Sequence, residues 1–355
     1  MKKRWLALLL CAALLSPLCA CASRSPAVMR YGETELGASV YRYWLSCYRA
    51  RFYDRETAEN RGYYAALADE NIKKSLAAVA LFDGYGLRLG DVGHDTVDAA
   101  MQRLVESFGG RAAFDAAAAR YGTDYDGVRA AVTYEQKSSA LYSYLFGTGG
   151  VYEIEEKDYE AAYQRTYTHV RMIFIPYVDY ILSEDGDKIY DTASGTYLFR
   201  EKTGAALRRQ EEKSAAVRAA LADGVDDAAF SKLAGTYNED ESAKEYPGGY
   251  YFSSEVDYTD YIPDLTEAAL RLRTVGETCE VRSAYGVHFL YRLENEVGAY
   301  KAEANGDFFE GFTDRVKRSC FEDIIAAAAE QVVIVTGEKE KIRYDETEPN
   351  YDMYW

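Results

Sequence analysis

The chain has 355 residues, with 58 Asp and Glu against 41 Lys and Arg and a net charge of −17. This acidity argues against nucleic acid as a partner, because phosphate neutralisation needs basic surface. With 48% hydrophobic residues and 6 prolines the chain is too apolar to be disordered, and its length suits two domains. Its 33 tyrosines suit contact surfaces as well as cores.

Residues 1–20, MKKRWLALLLCAALLSPLCA, place three basic residues before an apolar run too short for an ordinary membrane span. This pattern predicts a secretory signal. The segment Leu18-Cys19-Ala20-Cys21 resembles the lipobox of bacterial lipoproteins. That resemblance implies that Cys21 is lipidated, that residues 21–29 form a tether, and that the body is held on the extracytoplasmic face of a bacterial cell membrane. Loss of residues 1–20 removes bases and no acid, leaving 58 acids against 38 bases, or −20. Beyond the signal and anchor only Cys47, Cys279 and Cys320 remain, without a CxxC or Cys/His cluster, so nothing supports a metal site. Cys47 and Cys320 lie on apolar helical stripes and suit buried small hydrophobes; a disulfide between them stays open as the alternative.

From Arg30 a short extended piece, RYGETEL, leads into Leu36, Val40, Tyr43, Trp44, Cys47 and Tyr48 at helical spacing. Val97, Ala100, Met101, Leu104, Val105 and Phe108 make a second stripe behind an Asp95 or Thr96 cap. A third runs from about 126 to 145, with Val128, Val132, Leu141 and Leu145 inward, until Gly147, Gly149 and Gly150 break it. Residues 30–166 therefore read as an all-helical domain. At Thr168 the texture changes to THVRMIFIP, a buried strand. A hairpin insertion punctuated by Asp185-Gly186 and Ser194-Gly195 follows, then a helix over about 202–221. DDAAFSKLAGTYNED, a Gly-rich strand region, the short helix PDLTEAALRLR, and the strands TCEVRS and VHFLYRLE come next. Residues 167–296 read as an α+β unit. Phe308, Phe312, Val316, Cys320 and Ile324 recur every four residues and predict a long helix needing a partner face, for which the N-terminal domain is the simplest choice. QVVIVTGEKEKIRYD is expected to close residues 297–355 as a short hairpin.

VRMIFIP, DAAFSKLAGTYNEDESAKEYPGGYYF, PDLTEAALRLRTVGE and AYGVHFLYRLE fall in the order of a parvulin-type (PpiC) peptidyl-prolyl isomerase domain, which residues 168–295 resemble. With the lipobox and the flanking helices, the whole resembles a PrsA- or SurA-like foldase. The fold class so implied is α+β, an all-helical N-terminal domain completed by a C-terminal helix, with a parvulin-like antiparallel-sheet domain inserted between them.

The resemblance implies a site of two histidines, an acid and an apolar pocket for the proline ring. His288 in YGVH stands for the second histidine and Asp240 in YNED for the acid. Alignment of RMIFIP puts Met172 where the family has its first histidine; His169, three residues away, falls on the opposite strand face. Tyr251, Tyr261 and Leu265 take the pocket positions, with Phe252 and Tyr285 beside them. No cofactor is implied, and the partners implied are unfolded or proline-containing polypeptides together with the membrane through the anchor. Five tyrosines and Phe252 crowd the stretch from Tyr246 to Pro263, which suits a peptide-contact surface. With Met172 in place of histidine, a chaperone without isomerase activity is the alternative to an isomerase, and a lipoprotein with no role in folding is a third. The sequence leaves oligomeric state open.

Overall fold

In the computed structural model, which describes residues 26–89, 94–192, 195–256 and 263–353, the chain divides into two units. The first comprises Met1–Glu153 with Lys317–Trp355 and the second Ile154–Val316. The signal, Cys21, the side chains of Asp95 and Thr96, and Tyr261 lie outside the described residues. The fold is α+β.

The first unit starts with strands β1 (Ala27–Tyr31) and β2 (Thr34–Gly37), which pair antiparallel around a turn at Gly32, whose φ of +56° suits a residue without Cβ. Helices α1 (Ala38–Phe52), α2 (Arg61–Gly84), α3 (His94–Ser107), α4 (Arg111–Arg120) and α5 (Tyr125–Phe146) follow. Val40, Trp44, Val128, Val132, Leu141 and Leu145 are buried, as the helical spacing predicts, and Ile72 and Leu76 of α2 are buried with them. Asp124 caps α5 by accepting from the Gly127 amide at 2.7 Å.

Within the second unit α6 (Glu156–Thr166) runs into β3 (Tyr167–Pro176). Strands β4 (Val178–Tyr180), β5 (Tyr190–Asp191), β6 (Thr196–Tyr197) and β7 (Phe199–Glu201) build the insertion. They are followed by α7 (Gly204–Leu221), α8 (Asp227–Tyr237), β8 (Tyr250–Ser253), α9 (Pro263–Arg271), β9 (Thr278–Arg282) and β10 (Gly286–Arg292). The main sheet has the order β8-β3-β10-β9, with every pair antiparallel. Val170, Met172, Leu290, Tyr250 and Phe252 meet Leu265, Ala269 and Leu272 on one face. Ile173, Ile175, Val287, Phe289 and Tyr291 meet Val217 of α7 and Phe230 of α8 on the other. Both faces of β3 are thus covered, which is why its sequence runs apolar without clean alternation.

Three expectations change. The helix Glu156–Thr166 belongs with the sheet unit, because Tyr163 packs on Tyr167, Tyr251 and Phe309. The long C-terminal helix, α10 (Phe312–Ala329), starts later than its stripe suggests. Phe308 ends a 3₁₀ segment, Glu303–Phe308, and Gly311 at φ +66° separates the two. The expected terminal hairpin is absent: Val333–Ile334 (β11) pairs with β1, and Thr336–Lys339 turns as helix α11. Two β-branched residues extend the open edge of β1, so the segment pairs with that strand rather than with its own continuation.

Candidate functional site

Met172 and His288 come together on one face of the sheet. Register places His288 opposite Phe174 and Leu290 opposite Met172, so the two side chains are diagonal neighbours on adjacent strands. The His288 ring stacks on Phe174 with centroids 4.5 Å apart. Its Nδ1 lies 3.4 Å from Met172 Sδ and its Nε2 lies 3.0 Å from Ser283 Oγ. A thioether accepts but does not donate, so Nδ1 carries the proton and Nε2 accepts from the Ser283 hydroxyl. Ser283 Oγ in turn accepts from the Tyr285 amide at 3.2 Å. The result is a directed line from the turn before β10, through a neutral imidazole, to the sulfur of β3.

Asp240 reaches the same region from the side. Strand β8 pairs only with residues 167–170 of β3, which leaves the edge of the strand open beyond. The loop after α8 takes that edge: Asn238 Oδ1 accepts from the Phe174 amide at 2.8 Å, and the Glu239 amide donates to Phe174 O at 2.9 Å. Asp240 then caps a 3₁₀ turn (Glu241–Lys244) and accepts from Tyr250 Oη at 2.5 Å. Phe252 and Leu265 are buried in the same apolar cluster as Met172.

Two predicted pocket residues stand elsewhere. Tyr251 pairs with His169 across β3 and β8, and paired residues share a face, so it lies opposite Met172. Its ring stacks on His169 at 4.1 Å. Tyr285 packs instead with the insertion, 5.6 Å from Tyr180 and 5.5 Å from Phe199, and its hydroxyl accepts from the Tyr197 amide. His169 lies on the opposite face, as its odd offset implies, and both its ring nitrogens are held by main-chain carbonyls, Nδ1 against Glu294 O and Nε2 against Gly248 O.

Met172 is 9% and His288 3% exposed, so both side chains are buried. A cleft of about 260 Å³ touches Met172 and is lined also by Arg171, Asn238, Tyr246, Pro247 and Tyr250, whereas His288, Asp240, Phe252 and Leu265 stand outside its lining. Two of the crowded tyrosines, 246 and 250, wall it. Among the described residues no group of His, Cys, Asp and Glu is placed to hold a metal ion.

No protein-family model matches the chain, and no curated protein matches it. Among solved structures it is similar to PrsA from Bacillus subtilis, with 17% identity over 74% of this chain and 82% of that chain and a TM-score of 0.24. The peptidylprolyl isomerase PrsA from Bacillus anthracis gives 16% identity over 74% and 95%, with a TM-score of 0.28. The foldase protein PrsA from Lactococcus lactis gives 12% identity over 88% and 96%, with a TM-score of 0.24. Likenesses this weak carry no argument about activity, which has to come from the chain's own residues.

Asn238, Tyr250, Phe174 and Ser283 were not singled out in the sequence. Asn238 lies two residues before Asp240 and Ser283 five before His288, so the turn chemistry of YNED and RSAYG was the available signal.

Burial lowers the pKa of His288 to about 4 and moves that of His169 down as well, because both rings lose water that would stabilise the charge. The unfolded chain therefore binds protons first as pH falls. Stability is expected to hold above the unfolded value near 6.5 and to be lost between about 6.5 and about 4, with His288 alone accounting for about 3 kcal/mol. Urea unfolding at pH 7 and at pH 4.5 measures it. His288→Phe should flatten most of the slope, and an unaltered slope would remove His288 as its source.

Proposed function

We propose that the chain is a tethered extracytoplasmic foldase whose sheet unit is a parvulin-like peptidyl-prolyl cis-trans isomerase acting on unfolded, proline-containing polypeptides. The observation that carries this is the convergence of Met172, His288, Phe252 and Leu265 on one sheet face, with Asp240 held beside them by Tyr250.

The chemistry asked of such a site is modest. Rotation about an X-Pro bond breaks no covalent bond, and its barrier of about 18–20 kcal/mol is the loss of amide resonance. The planar amide is more charge-separated, and so better hydrated, than the twisted one. An apolar surface that strips water from the carbonyl therefore raises the ground state relative to the transition state. A neutral His288 and an ionisable Asp240 at its margin would orient the carbonyl and tune the local field. Lipidation at Cys21 is part of the same proposal, and no described helix is long and apolar enough to cross a membrane.

Catalysis of proline-limited refolding tests the proposal. His288→Ala and Asp240→Ala are each expected to reduce the catalysed rate by about tenfold or more, a loss of ~1.4 kcal/mol in transition-state stabilisation. Tyr251→Phe, on the other face, should leave it unchanged. A wild-type chain with no activity above background on any proline peptide would sink the enzymatic half. It would leave the second reading, a chaperone that holds clients without isomerising them, which the methionine facing His288 favours.

A further inference from the structure

The last residues of the chain make an unusual set of contacts within the first unit. After α11 the segment 344–353 has no regular secondary structure, yet it is fixed along α1. Arg49 Nη1, with two hydrogens, lies within hydrogen-bond distance of three of its main-chain carbonyls and shares its donors among them: Tyr344 at 2.9 Å, Asp345 at 2.8 Å and Thr347 at 2.5 Å. Ser46 O accepts from the Asn350 amide at 3.0 Å, and Tyr43 Oη donates to Met353 O at 2.8 Å. Five contacts thus go to the segment's backbone, which every polypeptide shares.

Charge and aromatic contacts supply the rest. The segment carries Asp345, Glu346, Glu348 and Asp352 and no base. Arg120 pairs with Glu348 and Asp352 at 3.3 and 3.2 Å, and Tyr121 Oη donates to Asp352 at 3.0 Å. Arg343, just before the segment, pairs with Asp345 and Glu346 at 2.7 and 3.3 Å, and Arg49 also lies 3.8 Å from Glu56, so Arg120 is the cation that answers the two distal acids. Tyr53 and Tyr351 meet edge to face at 5.9 Å while each stays more than half exposed. Tyr344, Asn350 and Met353 are the buried anchors, and the four acids between and beside them remain exposed.

We infer that the groove formed by Tyr43, Ser46, Arg49, Arg120 and Tyr121 is a polypeptide-binding site. Its resident occupant is the chain's own C-terminal segment, and it takes acidic, aromatic-bearing stretches of unfolded polypeptide in exchange. The tail competes as a tethered ligand at high effective concentration, so clients bind weakly until it leaves. The site lies within the helical unit and does not depend on isomerase activity in the other.

The test uses a chain ending at Arg343 and, as probe, a labelled peptide of the sequence YDETEPNYDMYW. The shortened chain, folded by circular dichroism, is expected to bind the probe about tenfold or more tightly than the full chain, and Arg49→Gln in the shortened chain should abolish binding. Equal binding by the two chains, or none by a folded shortened chain, would overturn the inference.

If the shortened chain does not fold, the double variant Asn350→Ala/Met353→Ala in the full chain loosens the tail and leaves the groove intact. Faster amide exchange over 345–353 with about fivefold tighter binding of a permanently unfolded acidic protein would support the site. Faster exchange without that gain would overturn it, as would dimers formed by exchange of tails between copies. Refolding assays of His288 variants report separately on the isomerase, so the failure of one proposal is distinguishable from that of the other.

Discussion

Gly249→Ala is expected to destabilise the sheet unit by about 3 kcal/mol or more, whereas Gly248→Ala, one residue earlier, should change it by no more than about 0.5 kcal/mol. At Gly249 φ is +113°, a conformation that side chains rarely adopt. An added Cβ would stand 2.5 Å from the carbonyl oxygen of Val170, with His169 Nε2 at 3.1 Å and Leu293 Cδ1 at 3.2 Å. The nearest of these is backbone in the central strand and cannot swing aside. At Gly248 an added Cβ meets nothing within 4 Å. The position matters for function because Tyr250 follows directly, pairs with Val170 and holds Asp240 through its hydroxyl. Amide exchange in β3 and β10 reads this unit alone, while Trp44 fluorescence during urea unfolding reads the other. Equal losses at both glycines would show that local crowding at Gly249 is not what fixes the strand.

That glycine also marks what a sequence can carry and what it cannot. The alternation along THVRMIFIP placed His169 and Met172 on opposite faces, and they are so placed, because the period of two is a property of one strand. The parvulin resemblance puts Tyr251 in the pocket, but its ring stacks on His169 on the other face. Its face depends on the register between β8 and β3, and a shift of one residue would exchange Tyr251 for Tyr250 or Phe252. YNED was legible as a turn, but its role in completing the open edge of β3 needs the knowledge that β8 begins only at Tyr250, opposite Val170. The C-terminal segment was opaque for a different reason. Arg49 binds backbone carbonyls nearly three hundred residues away, and a carbonyl leaves no residue-type signal.

Met172→His is expected to raise the rate of catalysed prolyl isomerisation by about tenfold, or ~1.4 kcal/mol in the barrier. In the present chain His288 Nδ1–H has only a thioether to donate to, a weak acceptor. An imidazole at 172 would offer a stronger acceptor at the same diagonal position and a second polar ring beside the carbonyl site. Met172→Leu sets the opposite bound, since it keeps the volume while leaving a buried N–H without a partner, at a cost of about 1–3 kcal/mol. It should lower stability and activity together. His169→Phe separates the faces: it removes the bonds to Glu294 and Gly248 and should cost stability, yet leave the isomerisation rate of the folded protein unchanged. If Met172→His folds normally and gains no activity, alignment of this strand with the catalytic strand of the parvulins is wrong. His288 is then a packed core histidine whose Ser283 and Met172 partners serve the fold alone.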